Sequence, residues 1–291
     1  MANDNGPGGV SHLRLKGHVL TLDRPRIMGI LNVTPDSFSD GGEFLRLERA
    51  LEQARRLVAE GADIIDIGGE STRPGAAPVP EKEELARVIP VIRALSAELD
   101  VPLSVDTSKP EVMRQAVAAG AAMINDVNAL RAPGALEAAA DSGAAVCLMH
   151  MRGTPREMQR DPRYGDVVAE VASFLEERWR AARAVGIPED ALVLDPGFGF
   201  GKTVAHNLTL FTALPALSRR APLLVGLSRK SLIGALTGRE DPKERIHGSV
   251  AMALLAAQRG AAILRVHDVA ATIDALRCWI AVEETAHSLA E

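Results

Sequence analysis

The segment PLSVDTSKPEVMRQAVAAGAAMINDV, residues 102–127, contains one complete unit of the pattern that decides the fold. Two short apolar runs, 102–106 and 123–127, flank a stretch at 110–119 whose apolar residues have helical spacing. Nearly continuous apolar runs are typical of strands that are covered on both faces of a parallel sheet. The segment therefore predicts a strand, a helix and a second strand parallel to the first.

The same alternation extends over most of the chain. Six further apolar runs predict strands at 26–33, 63–69, 145–150, 192–197, 223–228 and 263–268. Helical patterns occupy 47–58, 85–95, 134–142, 166–185, 206–218, 248–259 and 269–284, and Pro90 is expected to kink the second of the eight helices. Eight strands that alternate with eight helices predict an α/β fold, a (β/α)8 TIM barrel. An open, doubly wound sheet is the alternative, but eight regular units fit closure better.

The N-terminal residues predict a tail and a hairpin. Residues 13–22, LRLKGHVLTL, alternate apolar and polar side chains around Gly17, which predicts a β-hairpin covering the bottom of the barrel. We expect residues 1–11 to be a flexible tail and residues 12–286 to form a single catalytic domain. The first residues lack the apolar centre of a secretion signal, and no run approaches the ~18 apolar residues of a membrane span.

Net charge and cysteine content limit the classes of function. The chain has 291 residues and a net charge of −5, which argues against a general nucleic-acid-binding surface. An anionic substrate must therefore be met by a local cluster of positive groups. The two cysteines, Cys147 and Cys278, lie in apolar segments and are expected to be buried, reduced thiols of a cytoplasmic protein.

Polar residues follow almost every predicted strand. In TIM barrels the chemistry takes place at the C-terminal ends of the strands. One polar residue there is usually a turn or cap residue, but burying many at one barrel mouth without a ligand is costly. We therefore expect a ligand site formed by Asn32, Asp106, Asn125, Asp126, His150, Asp195, Ser228, Lys230, Arg265 and His267. Of these, His150 is a weak candidate without an evident partner, and the histidines elsewhere, including His206, look isolated.

The polar residues divide into three chemical groups. Carboxylates can accept two parallel N–H bonds, so a flat heterocycle with an amidine-like edge suits one group: Asp106, Asn125, Asp195 and Lys230. An oxyanion suits a second group: Ser71, Thr72, Arg73, Arg265 and His267. Asn32 offers a neutral oxygen to Mg²⁺, which takes few protein ligands and keeps phosphate and water oxygens.

Three loops carry further signals. NVTPDSFSDGG (32–42) and GESTRPGA (69–76) are longer than the usual two to six residues of a strand–helix connection, so we expect mobile, functional loops. DPGFGFGKT (195–203) is neither a Walker A loop, because Pro196 replaces its first glycine, nor a G-x-G-x-x-G motif. We expect a tight turn that lets a ligand lie against Asp195 and the glycine backbone. No Ser-His-Asp set or spaced zinc ligands are evident.

Seven ordered blocks, covering about residues 25–285, resemble the dihydropteroate synthase family of pterin-binding barrels. They are ILNVTPDSFSDGG, DIGGESTRPGA, SVDTSKP, INDV, DPGFGFGK, GLSRKSLIG and RVHDV. The resemblance implies a transferase of folate biosynthesis that condenses 6-hydroxymethyl-7,8-dihydropterin pyrophosphate with p-aminobenzoate, releasing pyrophosphate. It also implies Mg²⁺, inhibition by sulfonamides, and a homodimer that binds neither nucleic acid nor membrane.

The resemblance also implies roles for single residues. Asp106, Asn125, Asp195 and Lys230 would hold the pterin, and Thr72, Arg265 and His267 the pyrophosphate. Phe38, Arg73, Pro74 and Ser231 would contact p-aminobenzoate, Asn32 would bind Mg²⁺, and the catalytic residues would be Asp36, Lys230, Arg265 and His267. Two alternatives use the same barrel: a pterin-binding methyltransferase domain, which needs no pyrophosphate cluster, and a non-catalytic pterin-binding paralogue.

Overall fold

A computed structural model describes residues 11–34, 43–71, 75–153, 157–158 and 161–288. Two short strands, β1 (His12–Leu15) and β2 (His18–Thr21), precede the barrel. Eight parallel strands then close in sequence order, with β10 paired to β3, which confirms the predicted TIM barrel. These strands are β3 (Arg26–Asn32), β4 (Ile64–Gly68), β5 (Leu103–Asp106), β6 (Met123–Asp126), β7 (Ala145–Met149), β8 (Leu192–Asp195), β9 (Leu223–Val225) and β10 (Ala261–Val266).

The barrel strands are buried on both faces, as their apolar runs predict. Every residue of β4 through β9 is buried, because one face fills the barrel interior and the other packs against helices. All eight predicted strands are confirmed. Seven of them end one to three residues before the predicted end, and residues 196–197 and 226–228 lie in the connections at the barrel mouth.

The helices follow the predicted order with two differences. The predicted helix at 206–218 is two helices, and Pro215, which has no N–H to donate, lies in the first turn of the second. The short helix α8 was not predicted. The helices are α1 (Glu43–Ala59), α2 (Glu81–Glu98), α3 (Pro110–Ala118), α4 (Ala135–Ser142), α5 (Val167–Ala184), α6 (Val204–Thr212), α7 (Leu214–Leu217), α8 (Ser231–Thr237), α9 (Ile246–Gln258) and α10 (Val269–Ser288). Short 3₁₀ helices occupy Glu189–Ala191 and Pro242–Arg245, and α2 continues through Pro90.

The hairpin covers the bottom of the barrel, as predicted. Leu13 and Leu15 are buried, and the backbone N–H of Lys16 donates to the carbonyl of Ala122, just before β6. The turn places Gly17 at a φ of +78°, a conformation that suits glycine. The barrel mouth at the opposite end is left open for polar residues.

The core is one large apolar cluster that joins the barrel interior to the surrounding helices. A smaller cluster of Met149, Met151, Met158 and Phe200 lies at the mouth. Cys147 is buried, but Cys278 is exposed on α10, so the expectation of two buried thiols is wrong for Cys278. Among the described residues, no helix has the length and apolar character needed to cross a membrane.

Candidate active site

Four buried or half-buried polar residues form one network at the mouth of the barrel. Arg265, on β10, donates through Nε to Asp66 Oδ2 at 2.6 Å and through Nη2 to Asp106 Oδ2 at 2.8 Å. Asn125, at the end of β6, donates through Nδ2 to the same Asp66 oxygen at 3.0 Å. The structure thus brings together three residues predicted for two different substrate groups.

Asp66 is the member of this network that the sequence analysis missed. It lies inside the apolar run of β4 rather than at its end, and its side chain is fully buried. Its Oδ1 atom has no hydrogen-bond partner among the described residues. A lone carboxylate within a continuous apolar run was the available signal, because burying an unpaired charge is costly.

The network shifts the pKa of its members in opposite directions. Burial raises the pKa of Asp106 to about 7, and the nearby Arg265 opposes that rise. Burial lowers the pKa of Arg265, but the charges of Asp66 and Asp106 outweigh it and hold that pKa above its usual range. Arg265 therefore remains a cation between two carboxyl groups.

A second group combines Asp195 with Lys230, whose charges lie close enough to Arg265 to interact with it. Asp195 ends β8 and accepts a hydrogen bond from the backbone N–H of Gly197 at 2.7 Å. Lys230 Nζ donates to the carbonyl of Phe198 at 2.7 Å and lies 4.7 Å from the centre of the Phe200 ring. Burial lowers the pKa of Lys230 to about 8, and the charge of Asp195 opposes this shift. Burial likewise raises the pKa of Asp195, opposed by Lys230.

The glycine-rich turn after β8 fits its surroundings closely. A Cβ atom at Gly197 would lie 1.8 Å from the carbonyl oxygen of His150, and one at Gly201 would lie 2.5 Å from that of Arg152. Both glycines also have a positive φ. Packing against the chain after β7 therefore requires these two glycines. A Cβ atom at Gly199, between them, would instead lie 3.4 Å from the Lys230 side chain.

The buried Lys202 stabilises this turn through hydrogen bonds. Lys202 Nζ lies 2.9 Å from His150 Nδ1 and donates to the carbonyls of Gly197 and Phe200 at 2.8 and 3.2 Å. Burial lowers the pKa of Lys202 to about 7, and burial together with Lys202 lowers the pKa of His150 to about 3. His150 thus has a partner, contrary to the sequence analysis, which could not predict that a lysine after a glycine-rich turn points inward.

The prediction that His206 is isolated is also wrong. Its backbone N–H and ring take part in a capping box with Thr203 at the start of α6. Its ring packs edge-on against Tyr164 at 4.9 Å, and the Tyr164 hydroxyl donates to the carbonyl of Gly201. His206 therefore supports the glycine-rich turn rather than the ligand site.

Asp126 is buried beneath the turn after β6 and stabilises it. Its Oδ1 accepts from Ser108 Oγ at 2.5 Å and from the backbone of Asn128 at 2.8 Å, and its Oδ2 accepts from Leu130 N at 2.7 Å. Both carboxylate oxygens of Asp126 therefore accept hydrogen bonds from the protein itself. Of the two polar residues that end β6, only Asn125 joins the Arg265 network.

The ends of β9 and β10 are linked beside Lys230. Ser228 Oγ lies 3.0 Å from His267 Nδ1 and accepts from the His267 backbone N–H at 3.2 Å. Ser231 follows Lys230 as the first residue of α8 and is exposed. His267, Lys230 and Ser231 thus lie on neighbouring segments at one edge of the mouth.

The remaining predicted residues lie at or beyond the edge of the described structure. Asn32 ends β3 and is half-buried. Asp36, Phe38, Thr72, Arg73 and Pro74 lie outside the described residues, as do the predicted loop movements, so their roles stay predictions. Within the described ranges, no group of three or more His, Cys, Asp or Glu residues could hold a metal ion.

Comparisons with known proteins point to one family. The family model described as pterin binding enzyme matches residues 28–267. The chain is 53% identical to the dihydropteroate synthase of Escherichia coli K12, covering 90% of this chain and 93% of that one.

Among the solved structures that are similar over 94% of the chain, two illustrate the likeness. One is the dihydropteroate synthase of Xanthomonas albilineans with 4-aminobenzoic acid, at 61% identity, a TM-score of 0.89 and 98% coverage of that chain. The other is the Yersinia pestis dihydropteroate synthase in a sulfonamide drug complex, at 52% identity, a TM-score of 0.89 and 99% coverage of that chain.

Proposed function

The chain belongs to the pterin-binding enzyme family, and we propose that within it the protein is a dihydropteroate synthase. The reaction joins 6-hydroxymethyl-7,8-dihydropterin pyrophosphate to p-aminobenzoate, giving 7,8-dihydropteroate and pyrophosphate. One observation carries the proposal. The described residues assigned to the pterin and to pyrophosphate converge on one barrel mouth as two linked charged groups, Asp66–Asp106–Asn125–Arg265 and Asp195–Lys230.

The pterin fits the buried acceptors and donors of this mouth. A pterin presents an edge of N–H groups, and a carboxylate such as Asp195 can accept two of them in parallel. Asp106 offers a second acceptor, Asn125 an amide, and Lys230 a donor for the ring's own acceptors. Because these groups are already ordered by their partners, little side-chain freedom is lost when the ring binds.

Departure of pyrophosphate requires neutralisation of its growing charge. Arg265 stays cationic under the influence of its two carboxylates, and His267 is held beside it at the end of β10. Fixed positive charges and hydrogen-bond donors at the leaving oxygens lower the barrier most where water is excluded. As the C–O bond breaks, the pterin ring can delocalise the positive charge of its methylene.

Mg²⁺ fits the oxygen at the end of β3. Asn32 would hold the ion through its neutral amide oxygen, and substrate phosphates and water would complete the coordination. Such an ion does not need the cluster of acidic or histidine ligands that the described residues lack. When bound, Mg²⁺ would supply further neutralisation of the leaving pyrophosphate.

The second substrate brings a neutral amine and needs little acid–base help. The lone pair of p-aminobenzoate forms the new C–N bond to the pterin methylene, and the amine then loses one proton. We assign contacts with p-aminobenzoate to Ser231, Phe38, Arg73 and Pro74, and a place near the reacting methylene to Asp36. Sulfonamides, which resemble p-aminobenzoate, would compete for the same contacts.

The test is a product assay on the purified protein with both substrates and Mg²⁺. We expect equal amounts of pyrophosphate and 7,8-dihydropteroate, and loss of both when a chelator is in excess. Pterin binding without pyrophosphate release would favour the non-catalytic paralogue, and methyl transfer to or from a pterin would favour the methyltransferase. Full activity in excess chelator would remove Mg²⁺ from the proposal.

The exposed apolar residues of three adjacent helices support a homodimer. Leu208 on α6, Leu236 on α8 and Leu255 on α9 are exposed, and α8 packs against both other helices. Exposed apolar side chains on neighbouring elements favour self-association. We expect twice the chain mass of 30.9 kDa by light scattering and a monomer for Leu236→Glu. A monomeric wild type would contradict this part.

A reducing compartment suits the two free cysteines. Cys147 and Cys278 are both free, and Cys278 is exposed, so an oxidising compartment would leave it open to oxidation. We therefore place the enzyme in the cytoplasm. Fractionation that recovers it outside the cytoplasm would contradict this assignment.

A further inference from the structure

The turn after β9 is joined to the end of β10 by a second link, next to the Ser228–His267 contact. Arg229 donates through Nη2 to Asp268 Oδ1 at 2.5 Å and through Nε to Asp268 Oδ2 at 3.0 Å. We propose that Arg229 and Asp268 form a positioning pair that sets the distance between Lys230 and His267. The proposal rests on the proposed function, because these two residues would hold opposite ends of the pterin pyrophosphate.

The backbone of Arg229 is held in a conformation that side chains other than glycine rarely adopt. Its φ is +59°, one of three positive values among the described non-glycine residues, the others being Ala129 and Leu130. Strained backbone of this kind persists only where the surroundings fix it, and it clusters at functional sites. Of the three residues, only Arg229 adjoins a predicted substrate residue.

Two further bonds fix this conformation from outside the mouth. The backbone N–H of Arg229 donates to Ser249 Oγ at 2.9 Å, and its carbonyl accepts from Arg245 Nη1 at 3.0 Å. Both partners belong to the segment around the start of α9. The ion pair with Asp268 connects this turn to the end of β10. A movement of the turn would therefore also move His267.

The geometry of the pair suits a positioning role. The two side chains are 29% and 13% exposed, so the pair lies mostly below the surface. A bidentate guanidinium–carboxylate pair fixes both a distance and an angle. Lys230 directly follows Arg229 and His267 directly precedes Asp268, so the pair transmits that geometry to both.

The scissile C–O bond joins the pterin methylene to the phosphate, between the parts that Lys230 and His267 would hold. A shift of one residue relative to the other would leave each separate fragment able to bind. It would misalign the joined substrate, and a displacement of about 1 Å can cost about 10²-fold in rate. The pair should therefore affect kcat far more than the binding of either fragment.

Two variants remove the ion pair in different ways. Arg229→Gly suits the positive φ and keeps the backbone, whereas Asp268→Asn keeps the shape and removes the charge. The matched control is Arg24→Gln at the bottom of the barrel. There Arg24 contacts Asp63 bidentately, at 2.6 and 3.1 Å, with side chains 39% and 10% exposed.

We expect both test variants to lower kcat by about tenfold or more. Their Kd values for a pterin without phosphates and for inorganic pyrophosphate should stay near those of the wild type, and Arg24→Gln should keep wild-type kcat. The reversed pair, Arg229→Asp with Asp268→Arg, should recover part of the lost rate, which a merely structural role would not predict.

Two results would contradict the positioning role of the Arg229–Asp268 pair. Wild-type kcat in both variants would do so, as would equal weakening of fragment binding together with lower melting temperatures. If Arg229→Gly does not fold, Asp268→Asn and the reversed pair are sufficient to test the positioning role. An active wild type with unaffected variants would remove this inference alone, whereas an inactive wild type would also remove the proposed function.

Discussion

At the scale of single residues, Asp66 is the most deeply buried member of the Arg265 network. One of its oxygens accepts from both Arg265 and Asn125, and the side chain has no access to water. Removing one partner of a buried charge pair is costly, because it leaves the other charge unpaired in a poorly polarisable environment.

We predict that Asp66→Ala lowers the free energy of unfolding by about 3–5 kcal/mol, measured by chemical denaturation. The control is Asp190→Ala, which removes the exposed pair with Arg14 and should cost less than about 1 kcal/mol. Equal effects of the two substitutions would mean that the Asp66 network contributes nothing particular to stability.

Asp195 should contribute to pterin binding in addition to its hydrogen bond with Gly197. Asp195→Ala should remove charge-assisted bonds to the pterin worth about 1.5–3 kcal/mol each, so pterin affinity should fall at least about tenfold. Calorimetry measures this directly. An ordinary turn-stabilising aspartate would instead show lower stability and unchanged affinity.

Lys230 should make pterin binding depend on pH. Its pKa is lowered to about 8, so its ammonium donor is lost as the pH rises through that value, and pterin affinity should fall there. Lys230→Arg, which keeps its charge, should remove the alkaline loss. Constant wild-type affinity from neutral to well above pH 8 would exclude Lys230 as a charged donor.

Stability should change in the opposite direction. Between about 8 and the usual 10.5, the unfolded chain binds the Lys230 proton and the folded chain does not, so this group's contribution to stability rises with pH. Pterin affinity and the free energy of unfolding therefore report independently on the titration of Lys230.

At the scale of elements, the glycine-rich turn explains what the sequence could and could not predict. The eight strands were predictable because burial on both faces imposes continuous apolar runs. The close approach of Gly197 to His150 was not, because it depends on two segments that are distant in sequence. The same holds for Lys202, whose partners are contributed by two loops. The helix α8 escaped prediction because seven residues are too few for a clear period.

We predict that Gly197→Ala both destabilises the protein and weakens pterin binding. The added Cβ would overlap the His150 carbonyl, so the turn that carries Phe198 must move, and the end of β8 at Asp195 with it. Gly143→Ala is a matched control, because Gly143 has the same φ of +68° with nothing within 4 Å of the added atom. It should cost about 1–2 kcal/mol for the backbone alone and leave pterin affinity unchanged. Equal affinity in both variants would contradict the packing role of Gly197.

At the scale of the whole molecule, closure of the barrel is what assembles the site. Arg265 on the last strand reaches Asp66 and Asp106 on the second and third barrel strands, across 199 and 159 residues of sequence. The sequence predicted the convergence of Arg265 with Asp106, though not with Asp66, because parallel strands that close in order place all their C-terminal ends together. It could not predict which acceptor each donor selects, because those choices depend on side-chain positions within the mouth.

The most direct test of the account compares two ligands in one variant, Arg265→Ala. The central claim is that a single barrel mouth holds the pterin and the pyrophosphate through different residues, with Arg265 serving the anionic end. Calorimetry should show a large loss of affinity for the pterin pyrophosphate and for inorganic pyrophosphate, and a much smaller loss for a pterin without phosphates. Equal weakening of all three ligands would make Arg265 a structural residue and contradict the claim.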